Sequence, residues 1–330
     1  MAHELTTREN GFTEMAFVGE TPWHGLGQQL THDSTIEEWQ VASGMDWTIE
    51  QTPVCFNPSH FDEDAEKMVD DGLKVYTGQN VLYRSDNFMP LSVVSDRYKA
   101  VQPIEVLEFF RDLVDESGFR IHTAGTLRGG KRMWALAETG NFAEVSKGDG
   151  IGGFLLLSTS CDRTLATTAR FTSIRVVCNN TLSIAINENQ SAISFSHIQK
   201  WDHELVKEKL GAKVAQFGAF MEMTKHLRKQ KMNIFQAKEF LNQLVAPMNQ
   251  VKKEEHSLED NRAYKSILEL FDSSAKGIEM AGHTKWGMLN AVTEYFDHHK
   301  PARNNDARLD ATWFGTGEKA KNDALRLLIA

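Results

Sequence analysis

The sequence predicts an α+β fold, with an antiparallel β-rich N-terminal region and a mostly α-helical C-terminal region. Up to about residue 200, short runs of β-branched and aromatic residues alternate with turn residues. After Trp201 the apolar residues instead follow the three- and four-residue spacing of amphipathic helices. We therefore expect a β-rich domain over residues 1–200 and a helical region over residues 201–330 that packs on it.

The first hundred residues predict two helices and several strands. Ser34 is followed three residues later by Glu37, as a capping box requires, and Pro103 occupies a position typical of the first turn of a helix. Alternating apolar and polar residues predict the strands, and an acidic stretch predicts a solvated loop. In chain order we expect a helix from Ser34, a strand at 47–56, a loop at 62–71, strands at 74–84 and 91–95, and a helix from Pro103 to Gly118.

Two hairpins follow in the sequence. Arg128-Gly129-Gly130 predicts a tight turn between strands at 120–127 and 132–136. Residues 154–186 are typical of two β-branched strands joined by the polar turn Cys161-Asp162-Arg163-Thr164, and a short helix is expected from Thr181. Apolar residues at helical spacing then predict four C-terminal helices, at about 205–227, 240–245, 264–271 and 286–296.

Composition excludes several classes of protein. The chain is 41% hydrophobic and 25% charged, which is typical of globular proteins. No apolar run approaches the roughly 18 residues that span a bilayer, and the N-terminus does not resemble a signal peptide, so we expect no membrane partner. The three cysteines form no Cys-x-x-Cys pair, which argues against a disulfide framework and favours a reducing, cytoplasmic environment.

Charge is distributed unevenly along the chain. The net charge is −9, but residues 1–160 carry 12 Lys and Arg against 25 Asp and Glu, whereas residues 161–330 carry 24 against 20. The acidic half therefore has a net charge of −13 and the other half +4. This asymmetry favours an electrostatic partner, which could be a nucleic acid on the basic side or a basic protein on the acidic side.

Arginines on the two hairpins are the first candidate site. They occur among apolar residues and threonines, where a buried strand rarely carries guanidinium groups, so we expect them to face solvent and an anionic partner. The alternative is that they form salt bridges with the acidic N-terminal half. Phe171 and Trp134 lie beside them and could stack on bases, as in proteins that bind single strands. The candidate residues for binding nucleic acid on these hairpins are Arg128, Lys131, Arg132, Arg163, Arg170 and Arg175.

A basic run near residue 225 could extend this track. Lys225, Arg228, Lys229 and Lys231 end the first predicted C-terminal helix, where they could bind phosphates. The alternative is that these cations only complement the helix dipole.

A second candidate site lies in the last predicted helix. Glu294 and His298 are four residues apart and Asp297 is three from Glu294, a spacing that lets side chains converge on one metal ion. The alternative is a structural polar network without metal. The glycines at 148–153 match a dinucleotide-binding pattern in spacing alone, because a strand follows them where a helix is required. No nucleophile elbow, P-loop or kinase motif is present, and no cofactor is expected.

Several motifs together resemble the phage/plasmid-like protein family of bacterial mobile elements, a domain of unknown function. They are Trp23-His24-Gly25-Leu26-Gly27, the segment 96–103, Arg175-Val176-Val177-Cys178-Asn179-Asn180-Thr181-Leu182, the segment 290–298 and Trp313-Phe314-Gly315. The family usually has Asp-Gly-Ser at the second hairpin turn, where this chain has Asp162-Arg163-Thr164. The resemblance implies a phage, plasmid or prophage origin and a bacterial host, and it brings no activity or catalytic residue.

These observations lead to three expectations of function. The first is an accessory protein of mobile-element DNA metabolism that binds single-stranded nucleic acid and could anneal complementary strands. This expectation rests on an analogy with phage annealing proteins, which also implies a homo-oligomer. The second is an inhibitor of a host defence system that binds a basic host protein through its acidic half. The third is a metal-dependent nuclease or hydrolase built on Glu294, Asp297 and His298.

Overall fold

The computed structural model describes residues 6–19, 25–64, 66–175, 180–183, 193–195, 216–249, 258–302, 308, 311–313 and 315–330. Its strands are β1 (Met15–Val18), β2 (Gln28–Leu30), β3 (Ile49–Phe56), β4 (Ser59–Asp62), β5 (Lys67–Asp70), β6 (Lys74–Arg84), β7 (Pro90–Ser95), β8 (Arg120–Leu127), β9 (Arg132–Ser146), β10 (Asp149–Ser160), β11 (Thr167–Arg175), β12 (Asn180–Ser183) and β13 (Ile193–Phe195). Its helices are α1 (Ile36–Ala42), α2 (Pro103–Ser117), α3 (Gln216–Lys229), α4 (Ile234–Val245), α5 (Arg262–Glu269), α6 (Ile278–Ala281), α7 (Lys285–Glu294) and α8 (Thr316–Ile329).

The predicted α+β class is confirmed, because strands dominate up to β13 and helices follow. The main sheet has the order β12-β11-β10-β9-β8-β1-β2, and β13 also pairs with β11. Its pairings are antiparallel except for the parallel pair β1–β2. The predicted domain boundary at residue 200 lies outside the described residues.

Alternation along the central strands gives the main sheet two buried faces. On β9, Met133 and Ala135 point into the larger core, which also contains buried side chains of the C-terminal helices, such as Leu289. Trp134 and Leu136 point to the opposite face, where Trp313 packs on them. A side chain on either face of these strands is therefore buried, and the ends of the strands are the places where side chains reach solvent.

A second, three-stranded sheet has the order β3-β6-β7, and β4 and β5 form a separate hairpin. The fully buried Glu14 joins the two sheets, because it accepts hydrogen bonds from Arg84 of β6, at 2.7 Å, and from Thr126 of β8. This buried carboxylate fixes the end of β6 beside the turn that follows β8.

Two predicted elements differ from the structure. Residues 62–71 form the turn and second strand of the β4–β5 hairpin instead of a loop, because Phe61 and Met68 pair across it. The helix expected from Thr181 is wrong as well, since Asn180–Ser183 adds strand β12 to the edge of β11. The exposed edge of β11 supplies backbone hydrogen bonds that a local helix-capping pattern does not take into account.

The helix expected at 286–296 is confirmed as α7, but it continues as a π-helix over Tyr295–His299. Among the described residues, no helix combines the length and apolar character that are needed to cross a membrane.

Candidate nucleic-acid interface

Arg175 does not face solvent. It is 2% exposed, its Nε donates to Asp149 Oδ1 at 2.5 Å, and its Nη2 donates to the carbonyl of Gly277 at 3.0 Å. The indole of Trp286 donates to the other oxygen of Asp149 at 3.0 Å. Arg175 therefore binds the start of β10 to the C-terminal helices, and the expectation that it contacts a polyanion is wrong.

Arg170 is also buried, at 9% exposure. It donates to Glu318 of α8 and to the carbonyl of Trp313, and burial lowers the pKa of the guanidinium to about 10. The predicted stacking residues Phe171 and Trp134 are buried as well, and Trp134 packs edge-on against Trp313 at 4.9 Å. The carboxylates that pair with Arg170 and Arg175 are distant in sequence, so the local strand pattern could not reveal them.

The basic run near residue 225 does not extend the hairpin arginines. Arg228 Nε donates to the carbonyl of Met280 at 2.9 Å, and Met280 lies beside Gly148 in the β9–β10 turn. The turn before β9 lies at the other end of that 15-residue strand, which spans about 45 Å when extended. Lys225, Lys229 and Lys231 therefore belong to a separate surface.

The structure does not bring the predicted metal ligands Glu294, Asp297 and His298 together. Glu294 accepts the backbone N–H of Lys276 at 2.9 Å, and Asp297 accepts the buried ammonium of Lys321 at 2.7 Å. Because the helix becomes a π-helix, His299 instead of His298 approaches Glu294, at 3.5 Å. Across the described ranges, no group of three His, Cys, Asp or Glu is arranged to hold a metal ion.

The remaining predicted cations lie together at one end of the main sheet, where three turns meet. The turns are residues 85–89 between β6 and β7, 128–131 between β8 and β9, and 161–166 between β10 and β11. The backbone N–H of Cys161 donates to the carbonyl of Lys131 at 2.9 Å, which joins the second and third turns. Arg84, at the start of the first turn, donates to the carbonyl of Gly129 at 3.4 Å, which joins the first and second.

Each of these turns presents one exposed side chain on a backbone of positive φ. The residues are Phe88, with φ 59°, Arg128, with φ 57°, and Arg163, with φ 63°. Residues other than glycine seldom adopt this conformation, which costs on the order of 1 kcal/mol or more, and such strain is concentrated at functional sites. We call Phe88, Arg128, Lys131 and Arg163 the basic turn edge.

The electrostatic surroundings of this edge are predominantly cationic. Arg132 lies just below the edge and is 4% exposed, so the expectation that it faces a polyanion is wrong. Burial and the charge of Arg128 lower its pKa to about 10, an effect that Asp162 offsets in part. Tyr98 donates to the carbonyl of Ser160 at 2.9 Å and so places its exposed neighbours, Arg97 and Lys99, at the flank of the third turn. Arg163 and Lys131 form no ion pair with any residue that the structure describes.

Sequence reasoning identified Arg128, Lys131 and Arg163 as candidates but missed Phe88, Arg97 and Lys99. The turn-forming residues Ser85, Asp86 and Asn87 were the available signal for Phe88, the large aromatic residue that directly follows them. No local pattern places Arg97 and Lys99 beside a turn sixty residues later.

The family profile described as domain of unknown function (DUF932) matches residues 90–313, about two thirds of the chain. No curated protein and no solved structure shows significant similarity to this chain. The matched range contains the second and third turns and helices α2 to α7, whereas Phe88, helix α1 and strands β1 to β6 precede it.

Proposed function

We propose that this chain, which belongs to the family of domains of unknown function DUF932, binds single-stranded nucleic acid through its basic turn edge. The observation that supports the proposal most strongly is the meeting of Phe88, Arg128 and Arg163, each exposed and each on a strained backbone, at one end of the sheet. Strained backbone of this kind clusters at sites that hold side chains in fixed positions, and this supports a binding role for the three turns.

The chemistry of these side chains matches that of a single strand. Guanidinium groups donate forked hydrogen bonds to phosphate oxygens, and Lys131 adds a third cation at the same edge. The ring of Phe88 is 76% exposed and lies 6.4 Å from that of Tyr83, so one face of the pair can stack on a base. Duplex DNA keeps its bases stacked internally, so an exposed aromatic ring favours a single strand.

The finer proposal is an accessory role in the DNA metabolism of a phage, plasmid or other mobile element, including annealing of complementary strands. It is supported by the resemblance to the phage/plasmid-like family and by the geometry of the basic turn edge. Cations that hold phosphates along a line leave most bases accessible for pairing with a second strand, which is what annealing requires.

Fluorescence anisotropy with a labelled 30-nucleotide oligothymidine tests the proposal. At 50 mM salt we expect a dissociation constant in the micromolar range or below, and a logarithmic salt slope of about −2, because three phosphate contacts contribute about −0.7 each. Phe88→Ala should weaken binding about tenfold, since stacking on one base contributes about 1–3 kcal/mol. Binding to a hairpin duplex of equal length should be weaker.

Absence of binding at 50 mM salt would overturn the proposal. So would equal affinity of the wild-type chain and Phe88→Ala together with a preference for the duplex, because both results would show that no base stacks on the exposed ring.

A further inference from the structure

A β-ribbon, residues 54–76, projects from the three-stranded sheet, and we call it the β-arm. It consists of the ends of β3 and β6 and the β4–β5 hairpin between them. Most of its residues are exposed on both faces of the ribbon. Six large apolar side chains are between 47% and 74% exposed: Phe56, Phe61, Met68, Leu73, Val75 and Tyr76.

So many exposed apolar side chains in one segment indicate an interaction surface, because monomeric proteins rarely leave contiguous apolar patches in solvent. Phe61 and Met68 lie opposite each other in the β4–β5 pairing, and Val54 lies opposite Tyr76 in the β3–β6 pairing, so the arm carries two apolar cross-strand pairs. Pro53 and the bulge that follows it interrupt the edge of β3, which disfavours docking by strand addition. The face of the arm is therefore the binding surface.

The β-arm is also acidic. It carries six Asp and Glu against Lys67 and Lys74, and five of the six carboxylate residues are exposed. Its partner should combine exposed apolar side chains with positive charge.

The same chain carries a surface of that kind at the junction of α3 and α4, which we call the basic corner. Lys229 and Lys231 are exposed there, and Lys225 is partly exposed. Directly beside them, Ile234 is 38% and Phe235 79% exposed. The basic corner thus has the apolar character of the β-arm with the opposite charge.

We propose that the β-arm of one chain docks on the basic corner of a second copy. Apolar contacts centred on Phe61 and Phe235 supply most of the affinity, and the carboxylates of the arm facing Lys229 and Lys231 fix its orientation. A stable interface buries about 800 Å² per partner from about 20–30 residues, and the 23 residues of the arm are sufficient for this.

This interface joins chains head to tail. The arm and the corner are both exposed in the same chain, so the arm does not cover its own corner. β6 runs from the arm at Tyr76 to Arg84 beside the basic turn edge, and the corner lies beside the opposite end of β9. Two different surfaces meet in such a contact, so an assembly of any length still has one free arm and one free corner. Further chains can bind there, and the assembly grows into a filament or closes into a ring. The inference does not depend on the proposed nucleic-acid binding.

Sedimentation velocity of the full chain without nucleic acid tests the interface. We expect the mass to rise above the 37.2 kDa of one chain as protein concentration increases, and to fall again at high salt. Glu63→Lys, Asp64→Lys and Glu66→Lys reverse the charge of the arm in one variant. Lys225→Glu, Lys229→Glu and Lys231→Glu reverse that of the corner in another.

Each variant alone should be monomeric, because like charges then face each other and weaken association about a hundredfold. An equimolar mixture of the two variants should associate again, since the reversed arm of one matches the reversed corner of the other. A loss of folding cannot produce this rescue.

Two results would overturn the proposal. One is a wild-type chain that stays at 37.2 kDa at every concentration, which would mean that the arm serves a different partner. The other is an oligomer that survives both charge reversals, which would place the interface elsewhere.

Discussion

Arg163 has a strained backbone, which lowers the stability of the folded protein but fixes the position of the guanidinium group. Its φ of 63° is natural for glycine and unfavourable for side chains with a Cβ atom. A guanidinium group at this site is therefore held in place at a conformational cost that a glycine in the same turn would avoid.

Replacement of Arg163 by glycine should relieve this strain, whereas replacement by alanine should not. We expect Arg163→Gly to have a free energy of unfolding about 1 kcal/mol higher than that of Arg163→Ala, because both lack the guanidinium but only alanine keeps the strained backbone. Urea denaturation of both variants measures the difference. If alanine proved as stable as glycine, the backbone would not be strained in the folded protein.

Arg175 is the opposite case, because its guanidinium contributes to stability and not to binding. Arg175→Met leaves Asp149 buried without its cationic partner and should lower the free energy of unfolding by about 3–5 kcal/mol. Arg163→Ala, at an exposed site, should change it by about 0.5 kcal/mol or less. Thermal denaturation compares the two, and equal effects would contradict the assignment of Arg175 to a buried network.

At the scale of the element, the junction between α6 and α7 depends on a close backbone approach. A Cβ atom added at Gly287 would lie 2.1 Å from the carbonyl oxygen of Gly282, so the two segments can pack only when residue 287 is glycine. In α3, by contrast, a Cβ atom at Gly218 would meet no atom of the described residues within 4 Å.

These two helical glycines should respond to alanine in opposite directions. Gly287→Ala should destabilise the fold by about 1–3 kcal/mol through overpacking, and Gly218→Ala should stabilise it by up to about 1 kcal/mol through helix propensity. Chemical denaturation measures the free energy of unfolding of both variants, and each variant is the control for the other. A neutral effect of Gly287→Ala would show that α7 can shift away from the preceding turn.

Regular elements were predictable wherever local spacing determines the structure. Periodicity alone predicts the helix from Pro103 and the strand at 74–84, and turn residues predict the turn at Arg128. Strand β12 was not predictable in this way, because it forms only on the edge that β11 provides. The π-helix after Glu294 likewise has no signal in the spacing of its residues.

At the scale of the whole molecule, the candidate site was predictable only in part. The pattern of arginines on strands cannot distinguish a residue at a turn from one beneath a helix. Arg163 lies in the turn between β10 and β11 and reaches solvent, whereas Arg170 and Arg175 lie in β11 and pair with carboxylates of α8 and of the start of β10. Long-range pairing therefore decided which cations remained at the surface.

The same scale separates the charges of the chain into distinct surfaces. The acidic β-arm, the basic corner and the basic turn edge each combine a predominant sign of charge with exposed apolar side chains. The asymmetry between the two halves of the sequence is thus distributed over three sites, and net charge alone could not locate any of them.

The most direct test of the central claim compares two double variants by anisotropy with oligothymidine. Arg128→Ala with Arg163→Ala removes two cations of the basic turn edge, and Lys147→Ala with Lys265→Ala removes two exposed cations elsewhere, so the net charge of both variants is the same. We predict that the first variant binds at least about tenfold more weakly at 50 mM salt, with a salt slope reduced by about 1.4, and that the second binds like the wild-type chain. Equal losses in both variants would contradict the claim, because they would show that binding follows net charge and not the basic turn edge.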